Sequence, residues 1–184
     1  MRKQMQHMLS QVALQEADLS SATAYLQQTL GDKKIDDNLL AKLKDELAPI
    51  HLLQAITTKG IVSYRQNNSD TTMLKAILSE YEVASKLLKQ MRLGHNNLAS
   101  DHKLVESTDK LSQHAIVVCN ELYTLTNETN FLEKAFNYAE LSEFLNSIQF
   151  IKTTGIHSAN GEIIYDNLKT ITKKLSEFKK KIKC

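Results

Sequence analysis

One proline and no tryptophan occur among 184 residues, and glycine appears only five times. Average usage would give roughly 9 prolines and 13 glycines. Tight reversals depend on these two residues, so the many turns of a β-sandwich or barrel are excluded. The chain is expected to be all-α. Cysteine is nearly absent as well. Cys119 and Cys184 cannot build a disulfide framework, and a reducing, cytoplasmic setting is expected. Charge of one sign is missing, with 23 Lys+Arg against 21 Asp+Glu for a net +2. That balance excludes a nucleic-acid or membrane binder working by bulk charge. No run approaches the roughly 20 apolar residues of a membrane span, and residues 1–7 open no signal peptide.

What is present is an ordinary folded composition, 42% hydrophobic and 24% charged. A chain of this length buries roughly 70% of the surface it exposes when unfolded. Met5, Met8, Leu9, Val12 and Ala13 recur at helical spacing and predict a first helix with one packing face. Asp18 is a suitable N-cap for a second helix, whose stripe Leu19, Ala22, Leu26 and Leu30 ends at Gly31. Two helices joined by so few polar residues fold back as a hairpin.

Leu39, Leu40, Leu43 and Leu47 predict a shorter amphipathic helix, and Pro49 fits the first turn of the next. That helix carries Ile50, Leu53, Ile61 and Tyr64, and its partner carries Leu74, Ile77, Leu78, Tyr81, Ala84, Leu88 and Met91. Polar residues 94–101 read as the one real linker. Leu111, Ala115, Val118, Leu122 and Leu125 then keep steps of four and three, which makes residues 115–118 helix rather than strand. Asn130 reads as the N-cap of a helix apolar almost all round, with Leu132, Phe136, Phe144 and Ile148. Gly155 and Gly161 bracket a loop, and Ile164, Leu168, Ile171, Leu175, Phe178 and Ile182 form a seam for one long partner.

The second helices share a pattern. Leu19 is followed by Ala22, Leu26 and Thr29, Leu74 by Ile77, Tyr81 and Ala84, and Leu132 by Ala135, Ala139 and Ser142. Small residues there let helices approach closely, as stacked hairpins require. The pattern resembles the second-helix signature of tetratricopeptide (TPR) repeats, whose period is about 34 residues. Here Ile77 lies 55 residues after Ala22 and Ala135 lies 58 after Ile77, so the linking segments are expanded.

A second resemblance rests on Tyr64-Arg65-Gln66-Asn67-Asn68-Ser69-Asp70, Tyr81-Glu82-Val83-Ala84 and Leu87-Leu88-Lys89-Gln90-Met91-Arg92. These, with residues 121–140 and Gly155-Ile156-His157, are similar to the TPR arrays that precede CHAT domains, caspase-like peptidase modules of bacteria. His157 stands where that family usually has Pro, and Ser142-Glu143-Phe144 departs from its Ser-Lys-Ala. The likeness covers about residues 50–165. Together with the helical periodicity along the whole chain, it leads to an expected TPR-like α-solenoid of seven to eight helices, with hairpins over 2–31, 49–93 and 104–153 and a C-terminal helix over 160–183. It also implies a catalytic module beyond Cys184, and the lysine-rich ending fits the repeat region of a longer protein.

Chemistry is sparse. Cys119 falls on a packing face and reads as a small hydrophobe, and neither cysteine sits in a nucleophile context. His7, His51, His95, His102, His114 and His157 form no ligand set and read as surface residues. No metal, cofactor or catalytic residue is expected. The lysines of residues 173–183 read as a solvated helix face. The expected function is therefore protein or peptide binding in a groove lined by first helices. Gln54, Thr58 and Arg65 on one helix, and Gln113, Asn120 and Thr124 on another, are the candidate contacts. Two other readings fit the same residues: the helical sensor region of a TPR-containing signalling protein, or a small-ligand-binding helical bundle.

Overall fold

The computed structural model describes the backbone of residues 2–31, 35–94 and 98–153, and the side chains of all but 44–46, 92–94, 98–101 and 144–153 of these. Every regular element there is an α-helix: α1 (Arg2–Gln15), α2 (Leu19–Leu30), α3 (Asp37–Glu46), α4 (Pro49–Gln66), α5 (Thr71–Gly94), α6 (Leu98–Thr126) and α7 (Asn130–Thr153). The fold class is all-α. The expected helix over 160–183, the loop around His157, the lysine tail, His95 and Cys184 lie outside the described residues. The chain divides into two compact units, Met1–Glu143 and Phe144–Cys184, at a point within α7. The first holds α1 to α6 and the start of α7. The described part of the second is the continuation of α7 to Thr153.

Local chemistry sets several helix ends. The Asp18 carboxylate accepts from the Ser21 amide at 3.0 Å, satisfying one of the orphan donors at the start of α2. Gly31 ends that helix at φ 83°, in the left-handed region, and its N–H reaches Gln27 O at 2.7 Å. Asp36 caps α3 through the Leu39 amide at 2.7 Å. Pro49 stands in the first turn of α4, where its missing N–H costs nothing. Along α5 the whole stripe Leu74, Ile77, Leu78, Tyr81, Ala84, Leu88 and Met91 is buried. Each large side chain of this kind contributes about 1.5–3 kcal/mol relative to exposure.

Packing repeats one relation. α1 pairs with α2, and α4 lies against both; α4 pairs with α5, and α6 lies against both. The first helices run parallel. Gln4 Nε2 meets His51 Nε2 at 3.0 Å near the start of α1 and α4, and Arg65 donates to Leu14 O at 3.4 Å near their ends. Gln54 donates to Ser107 Oγ at 3.0 Å, and further along the Tyr64 and His114 rings meet edge-on, so α4 and α6 also agree in direction. The shared positions Ala22, Leu26, Ile77, Tyr81, Ala84 and Ala135 are all buried, and Ala139 is half-buried.

Four expectations need correction. The stripe Met5, Met8, Leu9 and Val12 is exposed, and α1 packs instead through His7, Ser10 and Ala13. Small and compact residues let α1 sit close to α2 and α4, whereas an apolar stripe shows only that a helix has two faces. α6 begins at Leu98, inside the expected linker, because polar residues without Gly or Pro continue a helix freely. Leu125, Leu132 and Phe136 are exposed rather than enclosed. Asn130 is already helical, with Thr129 O accepting the amide of Leu132 at 3.1 Å.

Candidate functional site

The longest described helix, α6, carries the candidate surface. Leu111, Ala115, Val118 and Leu122 point inward and are fully buried. At 100° per residue the opposite stripe is Gln113, Val117, Asn120 and Thr124, and all four are exposed. The Thr124 hydroxyl is spent on Asn120 O at 2.9 Å. The side chains of Gln113 and Asn120 make no hydrogen bond within the described residues. Two free amides flanking Val117, 44% exposed, give a surface that can donate to and accept from a peptide backbone around one apolar point. Earlier on the helix Lys110 and Glu106 pair at 2.8 Å and close that end with a neutral pair.

On α4 the expected contacts divide. Arg65 is exposed. Thr58 is buried, its hydroxyl donating to Gln54 O at 2.8 Å, and Gln54 is half-buried against Ser107. Gln54 therefore belongs to the α4–α6 seam and Thr58 to the interior, and neither lines an open groove. The equivalence assumed between the two helices fails because α6 lies over this part of α4.

Sequence reasoning missed a polar knot beneath the seam. Tyr81 Oη lies 2.7 Å from His114 Nδ1 and 3.3 Å from Thr57 O. With its proton on Nδ1, His114 donates to the Tyr81 oxygen and leaves the hydroxyl hydrogen for Thr57 O, which satisfies both contacts. The His114 ring stands edge-on to Tyr64 and Tyr81, at centroid distances of 5.2 and 5.7 Å. Gly60 makes room, since a Cβ there would overlap the Tyr81 ring and hydroxyl. Burial lowers the His114 pKa to about 4, and the Arg65 charge adds to the effect. Burial likewise pushes the Tyr81 phenol well above its ordinary value. The one signal in the sequence was a glycine inside an otherwise helical pattern.

His7 forms a second buried site. Its ring lies 6.5 Å from that of His51, and Nε2 has no hydrogen-bond partner among the described residues. Burial, then the neighbouring His51, lowers its pKa to about 4. His7 and His114 are thus not surface residues, unlike His102. Lys59 pairs with the largely buried Glu80 at 2.6 Å, and Glu80 also accepts from the Ile35 amide at 3.4 Å, fixing the segment that leads into α3.

Cys119 is fully buried, and burial pushes its thiol up to about 11, so it is no thiolate nucleophile near neutral pH. No three metal-binding side chains converge among the described residues, and no described helix is long and apolar enough to cross a membrane. A groove of about 390 Å³ runs between α5 and α7. Two of its cations are already paired, Lys86 with Asp37 at 2.9 Å and Lys134 with Glu82 at 2.5 Å. No family model, curated protein or solved structure matches the chain.

Proposed function

We propose that this chain is a non-catalytic, TPR-like protein-interaction arm, and that the outer face of α6 is where it takes a peptide segment of a partner. The observation that carries the reading is the pair of exposed amides, Gln113 and Asn120, that make no hydrogen bond within the described residues and stand on either side of exposed Val117. Support for the TPR-like part comes from the twice-repeated packing of a first helix on the preceding pair, with Ala22 and Leu26 of α2, Ile77, Tyr81 and Ala84 of α5 and Ala135 of α7 buried at matching positions. Stacked hairpins of that kind present their first helices as a shared surface for extended or helical peptides. On the resemblance to arrays preceding CHAT domains, the arm serves a caspase-like peptidase module. A coding sequence that places a His and a Cys in strand–loop contexts past Cys184 supports that assignment, and a kinase or DNA-binding module there replaces it.

Random-peptide display against the chain tests the binding face. Selected peptides should share a consensus and lose at least about tenfold in affinity, about 1.4 kcal/mol, on Val117→Arg or Asn120→Lys. Both substitutions are on the surface and should shift the melting free energy by no more than about 0.5 kcal/mol. Peptides that bind both variants as well as the parent chain refute the assignment of this face.

A further inference from the structure

We infer that the partner segment taken by the outer face of α6 is an α-helix lying parallel to α6, in the position that α6 itself takes on α4. The helical form rests on the assignment of this face as the binding surface. α4 and α6 keep one register, 59 residues apart. Leu52, Ile56 and Gly60 of α4 are buried, and so are Leu111, Ala115 and Cys119 at the same steps of α6. On the outer side Gln54 and Tyr64 of α4 return as Gln113 and Tyr123 of α6. What differs is the cover. α6 takes both α4 side chains, whereas Gln113 is exposed and makes no hydrogen bond within the described residues. Between these ends Thr58 is buried and Ile61 half-buried on α4, while Val117 and Asn120 at the same steps of α6 are exposed.

The α4–α6 seam shows what such a stripe accepts. Gln54 Nε2 donates to Ser107 Oγ at 3.0 Å. Seven residues after Ser107, the His114 ring meets Tyr64 edge-on at a centroid distance of 5.2 Å. The covering helix satisfies its own backbone, so a hydroxyl and a ring at that spacing are enough to meet the amide and the phenol ring. An extended segment gains affinity chiefly from main-chain bonds to a sheet edge. α6 offers no such edge, because the N–H groups of a helix interior are already bonded. Charge plays no part on either stripe, since Gln54 and Tyr64, and Gln113, Val117, Asn120 and Tyr123, are all neutral side chains. Within the chain α4 lies on the first helix pair and α6 on the second, so a partner helix on α6 extends the row by one more member. That helix presents Ser or Thr to Gln113, an apolar side chain to Val117, and a His or aromatic ring to Tyr123 seven residues after the hydroxyl.

Peptides selected on the full chain by random display provide the test. They should share a hydroxyl residue and a ring seven positions later, and circular dichroism should show helix forming on binding. Proline at the centre of such a peptide should cost at least about tenfold in affinity. A nitroxide at the peptide N-terminus should broaden the Gln113 side-chain amide more than the Thr124 backbone amide, and one at its C-terminus should do the reverse. Tyr123→Ala should weaken binding about tenfold, and Tyr123→Phe, which keeps the ring, should restore it. Peptides that need Val117 but alternate with a period of two and tolerate the proline overturn the helical partner and leave the binding face standing. Broadening in the opposite order overturns the parallel placement. Peptides indifferent to Val117→Arg refute the face itself, and the helical partner with it. Self-association of the chain that Val117→Arg abolishes gives the face to a second copy and overturns the proposal too.

Discussion

Gly60 is the residue whose substitution separates two physical effects of opposite sign. Alanine in a helix interior is favoured over glycine by about 0.8–1.0 kcal/mol. Its Cβ would collide with Tyr81, which is fully buried and tied to Thr57 O and His114. Overpacking of that kind costs about 1–3 kcal/mol, so Gly60→Ala should lower the urea midpoint where propensity alone would raise it. The imidazoles of buried His7 and half-buried His114 make a second prediction. His7 and His114 titrate near pH 4 when folded and near 6.5 when unfolded. Between those values the unfolded chain binds more protons, so stability is complete above about pH 6.5 and falls as pH drops toward 4. Each ring removes up to about 1.4 kcal/mol per pH unit in that window. Urea melts at pH 7.5 and pH 5 should show the loss, and His7→Gln should remove about half of its pH dependence.

Among the helices, what the sequence disclosed was what neighbours in sequence determine. Asp18 and Gly31 bound α2 because a cap needs only residues three or four positions away, and the unbroken stripe of α5 fixed its buried face. The stripe of α1 misled because periodicity shows that a helix is two-faced and leaves open which face its neighbours cover. The start of α6 was hidden by its polar composition. Gln54 and Thr58 were taken for groove residues because the covering of α4 by α6 depends on partners about 50 positions apart, as in Gln54 to Ser107. The knot of Tyr81 with His114 and the pair Lys59–Glu80 were invisible for the same reason. Helix approach itself can be tested at Ala22, which is fully buried between α2 and its neighbours. Ala22→Leu should cost about 1–3 kcal/mol by overpacking, whereas the same substitution at exposed Ala24 should change the melt by no more than about 0.5 kcal/mol.

At the scale of the first unit, three parallel first helices lie side by side while α2 and α5 pack behind, and among the described residues the extensive contacts are between near neighbours. Such an arrangement holds α6 by Leu111, Ala115, Val118 and Leu122 and leaves its far side to solvent. Rigid backing of an exposed amide-bearing stripe is what a peptide-binding surface requires, because little ordering remains to be done on binding. The direct measurement is an NMR titration of the chain with a display-selected peptide, following the side-chain amides of Gln113 and Asn120 and the methyl groups of Val117. These resonances should shift together and saturate at one binding constant. Shifts confined to the α5–α7 groove, with those three residues unmoved, contradict it.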